Sequence, residues 1–275
     1  MGMNIQNLSL LLKTTDDFEL HIIDNNSSDD SWEFIQQLKD PRIKEVKRFP
    51  FNKGGAYAFN YVLSQRKPGQ AFINVEADVS IYTPNWISNC VQIIDTYPEV
   101  GAVGNVRPTF FKERSIEYTE MTRDDVKFWR SLFLLGCCVY YPAKTMDLLG
   151  YYNEMILVGD LEITARLAAL GNWFGYCLDN QIRYRPPKCS TCDHKGLCKN
   201  PDPTDKKNPL HCFDVYNKSY KQRDVTSKMM HRFLNYSKDL TKDTVYCASI
   251  HDTESQSKTF YNELLAKWNF NLFEE

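Results

Sequence analysis

Apolar Ile5, Leu8, Leu11 and Leu12 recur at helical spacing, and the next apolar group, Phe18, Leu20, Ile22 and Ile23, is a short β-type run ending in Asp24-Asn25-Asn26-Ser27. This predicts a helix, a strand and then a polar loop. The alternation continues with a helix near 30–38, a strand near 43–48, a helix through 56–64 and a strand at 71–75. Such order predicts an α/β fold, a three-layer sandwich around a mostly parallel central sheet. Thr83-Pro84 predicts an N-cap and first-turn proline for a helix through Ile94, followed by a strand near Val103.

The second half is less regular. The charged, poorly periodic stretch 107–130 predicts a long loop or crossover outside the core, and 132–140 is apolar again. Leu161, Ala165, Ala168 and Ala169 mark one face of a helix that starts near Asp160 and is stopped by Gly171, with a strand expected over 173–178. From Arg183 to Gln222 the chain turns to Pro, Lys, Asp and Cys with few aliphatics, so a domain boundary is expected at about Arg185. The expected organisation is a main domain over 1–185, a Cys-rich knob over 186–222, and a tail over 223–275 whose two modest helices pack back on the body.

Composition adds little beyond an ordinary globular protein: 43% of residues are hydrophobic and 25% charged. No run approaches the roughly 20 apolar residues of a membrane span, and no charged segment followed by an apolar signal region opens the sequence. A cytoplasmic location is the resulting expectation. The formal net charge of −2 supplies no general attraction for nucleic acid or anionic lipid. Cys90, Cys137, Cys138, Cys177 and Cys247 are scattered and expected to be buried thiols.

In a parallel sheet, ligands gather beyond the carboxyl ends of the strands. Three polar groups fall at such ends: Asp24-Asn25-Asn26-Ser27-Ser28-Asp29, Asn52-Lys53-Gly54-Gly55 and Glu76-Ala77-Asp78. Each alone has a plain explanation as a helix cap or a turn. Together, at consecutive strand ends, they point to a site. Two carboxylates one residue apart, Glu76 and Asp78, can present oxygens to a divalent cation that also holds a diphosphate. Asp160, beside Gly159 at a helix start, can accept the proton of an attacking hydroxyl as well as cap its helix.

These blocks, from His21-Ile22-Ile23-Asp24 through Asn52-Lys53-Gly54-Gly55 with Asn60 to Glu76-Ala77-Asp78-Val79, resemble the successive signatures of family-2 glycosyltransferases with the GT-A fold. Leu135-Gly136-Cys137-Cys138, Leu149-Gly150-Tyr151-Tyr152-Asn153-Glu154 and Gly159-Asp160-Leu161-Glu162 with Arg166 resemble that family's acceptor-side block. The resemblance spans about residues 5–180. It implies an inverting, metal-assisted transfer of a hexosyl or pentosyl group from a nucleoside diphosphate sugar to a hydroxyl acceptor (glycan, protein or other), with Mg²⁺ or Mn²⁺.

Residue by residue, it implies that Asp24 contacts the nucleobase and that Asn52, Lys53, Gly54 and Gly55 lie near the nucleotide. It places Glu76 near the ribose or metal, makes Asp78 the metal ligand and Asp160 the catalytic base. Glu162 and Arg166, four apart, are expected to form a supporting ion pair. Glu76 stands where aspartate is usual in the family, and no histidine follows the last strand around 181–185. The family also opens with a strand and a Pro-x-Tyr/Phe-Asn-type loop that wall the nucleotide pocket, whereas Met1-Gly2-Met3 precedes the first helix here. Truncation, another segment or subunit supplying that edge, or lost activity are the three expectations this leaves.

Cys189-x2-Cys192-x5-Cys198-x13-Cys212 has the density of a small metal-held loop, and four thiolates suit a tetrahedral structural Zn²⁺. Free or disulfide-bonded cysteines and an iron–sulfur cluster are the alternatives. Two competing readings of the whole chain stand beside the enzyme. One is a catalytically impaired GT-A-like binding or scaffold protein; the other is a nucleic-acid-binding protein using the Cys-rich knob.

Overall fold

The computed structural model of the protein describes residues 3–27, 29–50, 53–114, 116–152 and 159–184, with two short pieces at 200–201 and 209–210. In chain order the first half runs α1 (Met3–Leu11), β1 (Leu20–Asp24), α2 (Ser31–Gln37), β2 (Ile43–Arg48), α3 (Gly55–Leu63), β3 (Phe72–Val75), β4 (Val79–Ile81), α4 (Trp86–Thr96) and β5 (Val100–Asn105). It continues with α5 (Thr109–Arg114), β6 (Tyr118–Arg123), β7 (Val126–Ser131), β8 (Cys138–Tyr141), α6 (Ala143–Leu149), α7 (Gly159–Ala169), β9 (Trp173–Cys177) and β10 (Ile182–Tyr184). The four knob cysteines and the two tail helices expected from the sequence lie outside the described residues.

The α/β expectation holds. Six strands form one mixed sheet in the order β3-β8-β5-β9-β7-β6, and β1 and β2 form a separate parallel pair. β4 pairs antiparallel with β10 below the site. The centre of the large sheet is apolar on both faces: every residue of β5 and of β8 is buried, as in strands covered by layers on each side. Helices α4, α6 and α7 pack over it, contributing Trp86, Ile93, Met146, Leu149, Ile163 and Leu167 to one core. The thiols of Cys90, Cys137, Cys138 and Cys177 are buried and free in that core.

Two expectations need correction. The stretch 107–130 is not a loop: it holds α5 and the β6–β7 hairpin, which widens the sheet. Asp124 and Asp125 turn the hairpin with φ of 50° and 62°, the left-handed geometry that suits a two-residue hairpin turn. Its charged sequence reflects an edge position, where the outward residues of β6 face water and charge guards against edge pairing. Inside it, Tyr118 stacks on Trp129 at 3.9 Å.

The second correction concerns the start of α4. Thr83 does not cap it; the Thr83 hydroxyl accepts from the Gln181 N–H at 2.7 Å, and Asn85 is the capping residue by position without a side-chain bond. The capping oxygens come from a distant residue. Asp16 accepts from Ile87 N–H at 2.8 Å and from both the N–H and hydroxyl of Ser88 at 3.2 and 2.6 Å. A carboxylate suits the positive end of a helix, so this bond ties the segment after α1 to α4. We expect Asp16→Ala to lower unfolding free energy by about 1–2 kcal/mol, read as a melting temperature a few degrees lower in a thermal denaturation scan.

Candidate active site

The chemistry expected from the sequence collects at the carboxyl ends of β1 and β3 and at the start of α7. At the end of β1, Asp24 is buried and its carboxylate takes the Arg48 Nε at 3.1 Å and the Ser27 N–H at 3.1 Å. Arg48 in turn donates to the Ser27 carbonyl at 2.8 Å and lies over the Trp32 ring. This closes the loop after β1 around its own backbone, with Asn26 at a φ of 66°.

Asn25 joins that loop to the next one. Its side-chain oxygen accepts from the Lys53 N–H at 2.9 Å, and its amide donates to the Gly54 carbonyl at 3.0 Å. Gly54 takes a φ of 86°, a conformation which side chains resist, so the turn into α3 depends on its being glycine. Lys53 is buried, with its ammonium 3.0 Å from the Tyr57 hydroxyl and over the rings of Tyr57 and Phe49. Gly55 begins α3. Asn52 lies outside the described residues.

At the end of β3 the chain is held from the next strand, because the Glu76 N–H donates to the Cys137 carbonyl at 2.8 Å and the Asn74 amide donates to the Gly136 carbonyl. Asp78 is half-buried, and its Oδ1 is fully enclosed without a hydrogen-bond partner. An enclosed, unpartnered carboxylate oxygen is costly and invites a cation. Burial raises the pKa of Asp78 to about 6. Glu76 is reached from the cleft but surrounded by protein, and that burial, with repulsion from Asp78 and Asp160, raises its pKa as well.

Asp160 completes the group. Its two oxygens accept from the Leu161 N–H at 2.9 Å and the Gly136 N–H at 3.3 Å, while burial raises its pKa against those bonds. Gly136 is required for this approach: a Cβ there would lie 2.5 Å from the Asp160 Cβ. The expected ion pair is present and buried, with Arg166 Nε 2.6 Å from Glu162 Oε1 and Nη2 3.0 Å from Oε2. Arg166 also donates to the Leu149 and Tyr151 carbonyls at 2.7 and 2.5 Å. Asn60 clamps the neighbouring Tyr152 backbone by exchanging two hydrogen bonds of 2.7 and 2.8 Å.

The loop ends therefore bring together Glu76, Asp78 and Asp160, with Asp24, Lys53, Gly54 and Gly55 along the same rim. Among the described residues no three His, Cys, Asp or Glu are grouped closely enough to hold a metal ion by themselves. Glu76 and Asp78 suit a hard cation that takes most of its oxygens from a phosphate group and water.

The sequence profile described as glycosyl transferase family 2 matches residues 6–147, more than half of the 275 residues. The chain belongs to that family. No curated protein matches the chain. Among solved structures it is similar to the mannosyltransferase PcManGT from Pyrobaculum calidifontis in complex with GDP-Man and Mn²⁺. That likeness has a TM-score of 0.52 and 16% identity over 64% of this chain and 51% of that one. It is also similar to GalNAc-T7 with UDP, GalNAc and Mn²⁺, with a TM-score of 0.51 and 14% identity over 65% of this chain and 40% of that one. At such identities the likeness establishes the GT-A fold, and the chain spans about half or less of those proteins' length.

Sequence reasoning missed how the family residues are held. Arg48 behind Asp24, Gly136 beneath Asp160 and the two carbonyls on Arg166 carry no local signal, since each partner is distant along the chain or lies in backbone. Arg166→Met should leave Glu162 as an uncompensated buried charge and cost about 3–5 kcal/mol. Urea unfolding measures this, and Glu162→Leu combined with Arg166→Met should recover much of the loss.

Proposed function

We infer that the protein transfers a sugar from a nucleoside diphosphate carrier to a hydroxyl acceptor with inversion, with Asp160 as the base. The observation that carries this reading is the Asp160 carboxylate, aimed by two backbone N–H groups and close enough to Glu76 to repel it. Its raised proton affinity makes it a better acceptor for the hydroxyl proton than an exposed aspartate. Gly136 and the Glu162–Arg166 pair hold it in place during the attack.

Asp78, with its unpartnered oxygen, and Glu76 would hold Mg²⁺ or Mn²⁺. That ion, when bound, neutralises charge on the departing nucleotide. Asp24, Asn25 and the 52–55 turn form the wall against which the base and ribose would lie. Complexes of the similar structures with GDP-Man, UDP and Mn²⁺ support this class of donor and metal. A structural Zn²⁺ on Cys189, Cys192, Cys198 and Cys212 remains a proposal resting on their spacing. Among the described residues no helix is long and apolar enough to cross a membrane.

Two substitutions separate binding from chemistry. Asp78→Ala should abolish the Mn²⁺-dependent part of UDP binding in a calorimetric titration; unchanged affinity would remove the metal assignment. Asp160→Asn keeps size and hydrogen bonding but takes no proton, so donor affinity should stay nearly constant while turnover falls roughly 10²-fold or more. Near-normal turnover in that variant assigns the base elsewhere. A protein that binds UDP with Mn²⁺ yet transfers no sugar from any bound donor is instead a binding or scaffold member of the family.

A further inference from the structure

Between β1 and β3 the structure leaves a slot. Among the described residues β1 has a partner only on its β2 side and β3 only on its β8 side, and a cavity of about 940 Å³ runs between them. Its walls are the two strand edges together with Leu8 and Leu11 of α1, Phe59 and Val62 of α3, and Trp86 and Ile87 of α4. The backbone groups that face it follow from pairing. The Leu20 N–H and the Asp24 carbonyl are taken on the β2 side, so by alternation His21 and Ile23 offer their N–H and C=O to the slot. The Glu76 N–H goes to Cys137 on the β8 side, so Ile73 and Val75 present theirs. Two strand edges facing each other across an apolar space leave backbone donors and acceptors without partners.

We propose that this slot receives one extended apolar strand, parallel to β1 and joined ahead of α1, which bridges the two sheets into one. The lining defines its chemistry. Apolar side chains from three helices meet it, so its residues are apolar throughout, β-branched by preference and without proline, as in strands covered on both faces. β1 has five residues and β3 four, which sets a length of about five.

The position of α1 decides where the strand is attached. Asn7 near its head donates to the Ala77 carbonyl at 2.7 Å, which places that head at the carboxyl end of β3. Its far end meets the amino ends of β1 and β2, where Arg42 donates to the Leu12 and Thr14 carbonyls at 2.5 and 2.8 Å. Helix α1 therefore runs opposite to β1 while lining the slot. A strand in the slot, α1 and β1 then make a strand–helix–strand crossover with parallel strands, the unit in which a covering helix joins neighbours in a sheet. A strand donated by a second copy would leave α1 without that connection. The strand's carboxyl end would emerge beside Asp24 and Glu76, both of which line the cavity, and would wall the nucleotide site. That last consequence rests on the proposed function; the pairing does not.

The test compares the full chain with the same chain carrying Val-Ile-Val-Ile-Val and a three-residue polar loop ahead of α1. Amide hydrogen exchange at His21, Ile23, Ile73 and Val75 should slow by about tenfold or more in the extended chain, with Ile22 and Asn74 changing less. The melting temperature should rise by several degrees. Proline at the centre of the added segment, which has no N–H to give, should cancel both effects. The proposal is overturned if the four amides are already as protected as Ile22 and Asn74 in the unextended chain, because the edges would then be closed by something else. It is also overturned if extension changes nothing, or if protection in the unextended chain rises with protein concentration as a second copy fills the slot. Should the unextended chain show no cooperative thermal transition, gain of one on extension supports the strand and failure to gain one sinks it. A UDP titration with Mn²⁺ on the extended chain keeps the two readings apart: protected edges without nucleotide binding retain the strand and remove the nucleotide site.

Discussion

The guanidinium of Arg166 is buried where α6, α7 and the turn after Leu149 meet, and four acceptors take its hydrogen bonds: two carboxylate oxygens of Glu162 and the carbonyls of Leu149 and Tyr151. A buried ion pair contributes little net stability against an apolar packing of the same shape, because desolvation offsets most of its attraction. Its effect here is geometric. The planar fork accepts partners in fixed directions, so α7 cannot rotate about its axis without stranding a charge. Asp160 stands one and a half turns before Arg166 on the same helix, and its placement against Gly136 follows from that restraint.

The same region is pinned from the other side. Asn60 of α3 matches the Tyr152 backbone with a donor and an acceptor, in the manner of a strand partner, across 92 positions of sequence. Tyr176 accepts from the Leu135 N–H at 2.8 Å and steadies the loop that carries Gly136. Each site segment is thus tied to a rigid element by one or two buried polar bonds. Such bonds are expensive to leave half-made, which gives the loops a single arrangement where apolar contact alone would allow several.

Within this frame the acidic groups are held in tension. Glu76, Asp78 and Asp160 all have raised proton affinities, and one Asp78 oxygen is enclosed without a partner. A core of apolar strands would not tolerate such crowding by itself. It persists because the groups sit where the β3 and β8 ladders end and the cleft begins, so a cation or a proton can reach them. That location also explains why the Asp24 and Glu76 loops open into the cavity between the split sheets.

Much of this was legible in the linear sequence. Strand period and the Asp24, Gly54-Gly55, Glu76-Asp78 and Asp160 groups predicted an α/β fold with chemistry at strand ends, because patterning and strand-end polarity are local properties. The Glu162–Arg166 pair was legible for the same reason, being four apart on one helix. The β6–β7 hairpin was not, since an edge strand carries charges that mimic a loop. The cap of α4 was misplaced because its acceptor, Asp16, lies 71 positions from Ile87. What the sequence by itself determined is which residues alternate, turn and bear charge. Which of them meet was decided by tertiary structure: Gly136 under Asp160, Arg48 behind Asp24, and two facing strand edges with a cavity between them. Those relations depend on packing distances between segments far apart in the chain, and no local propensity encodes a distance.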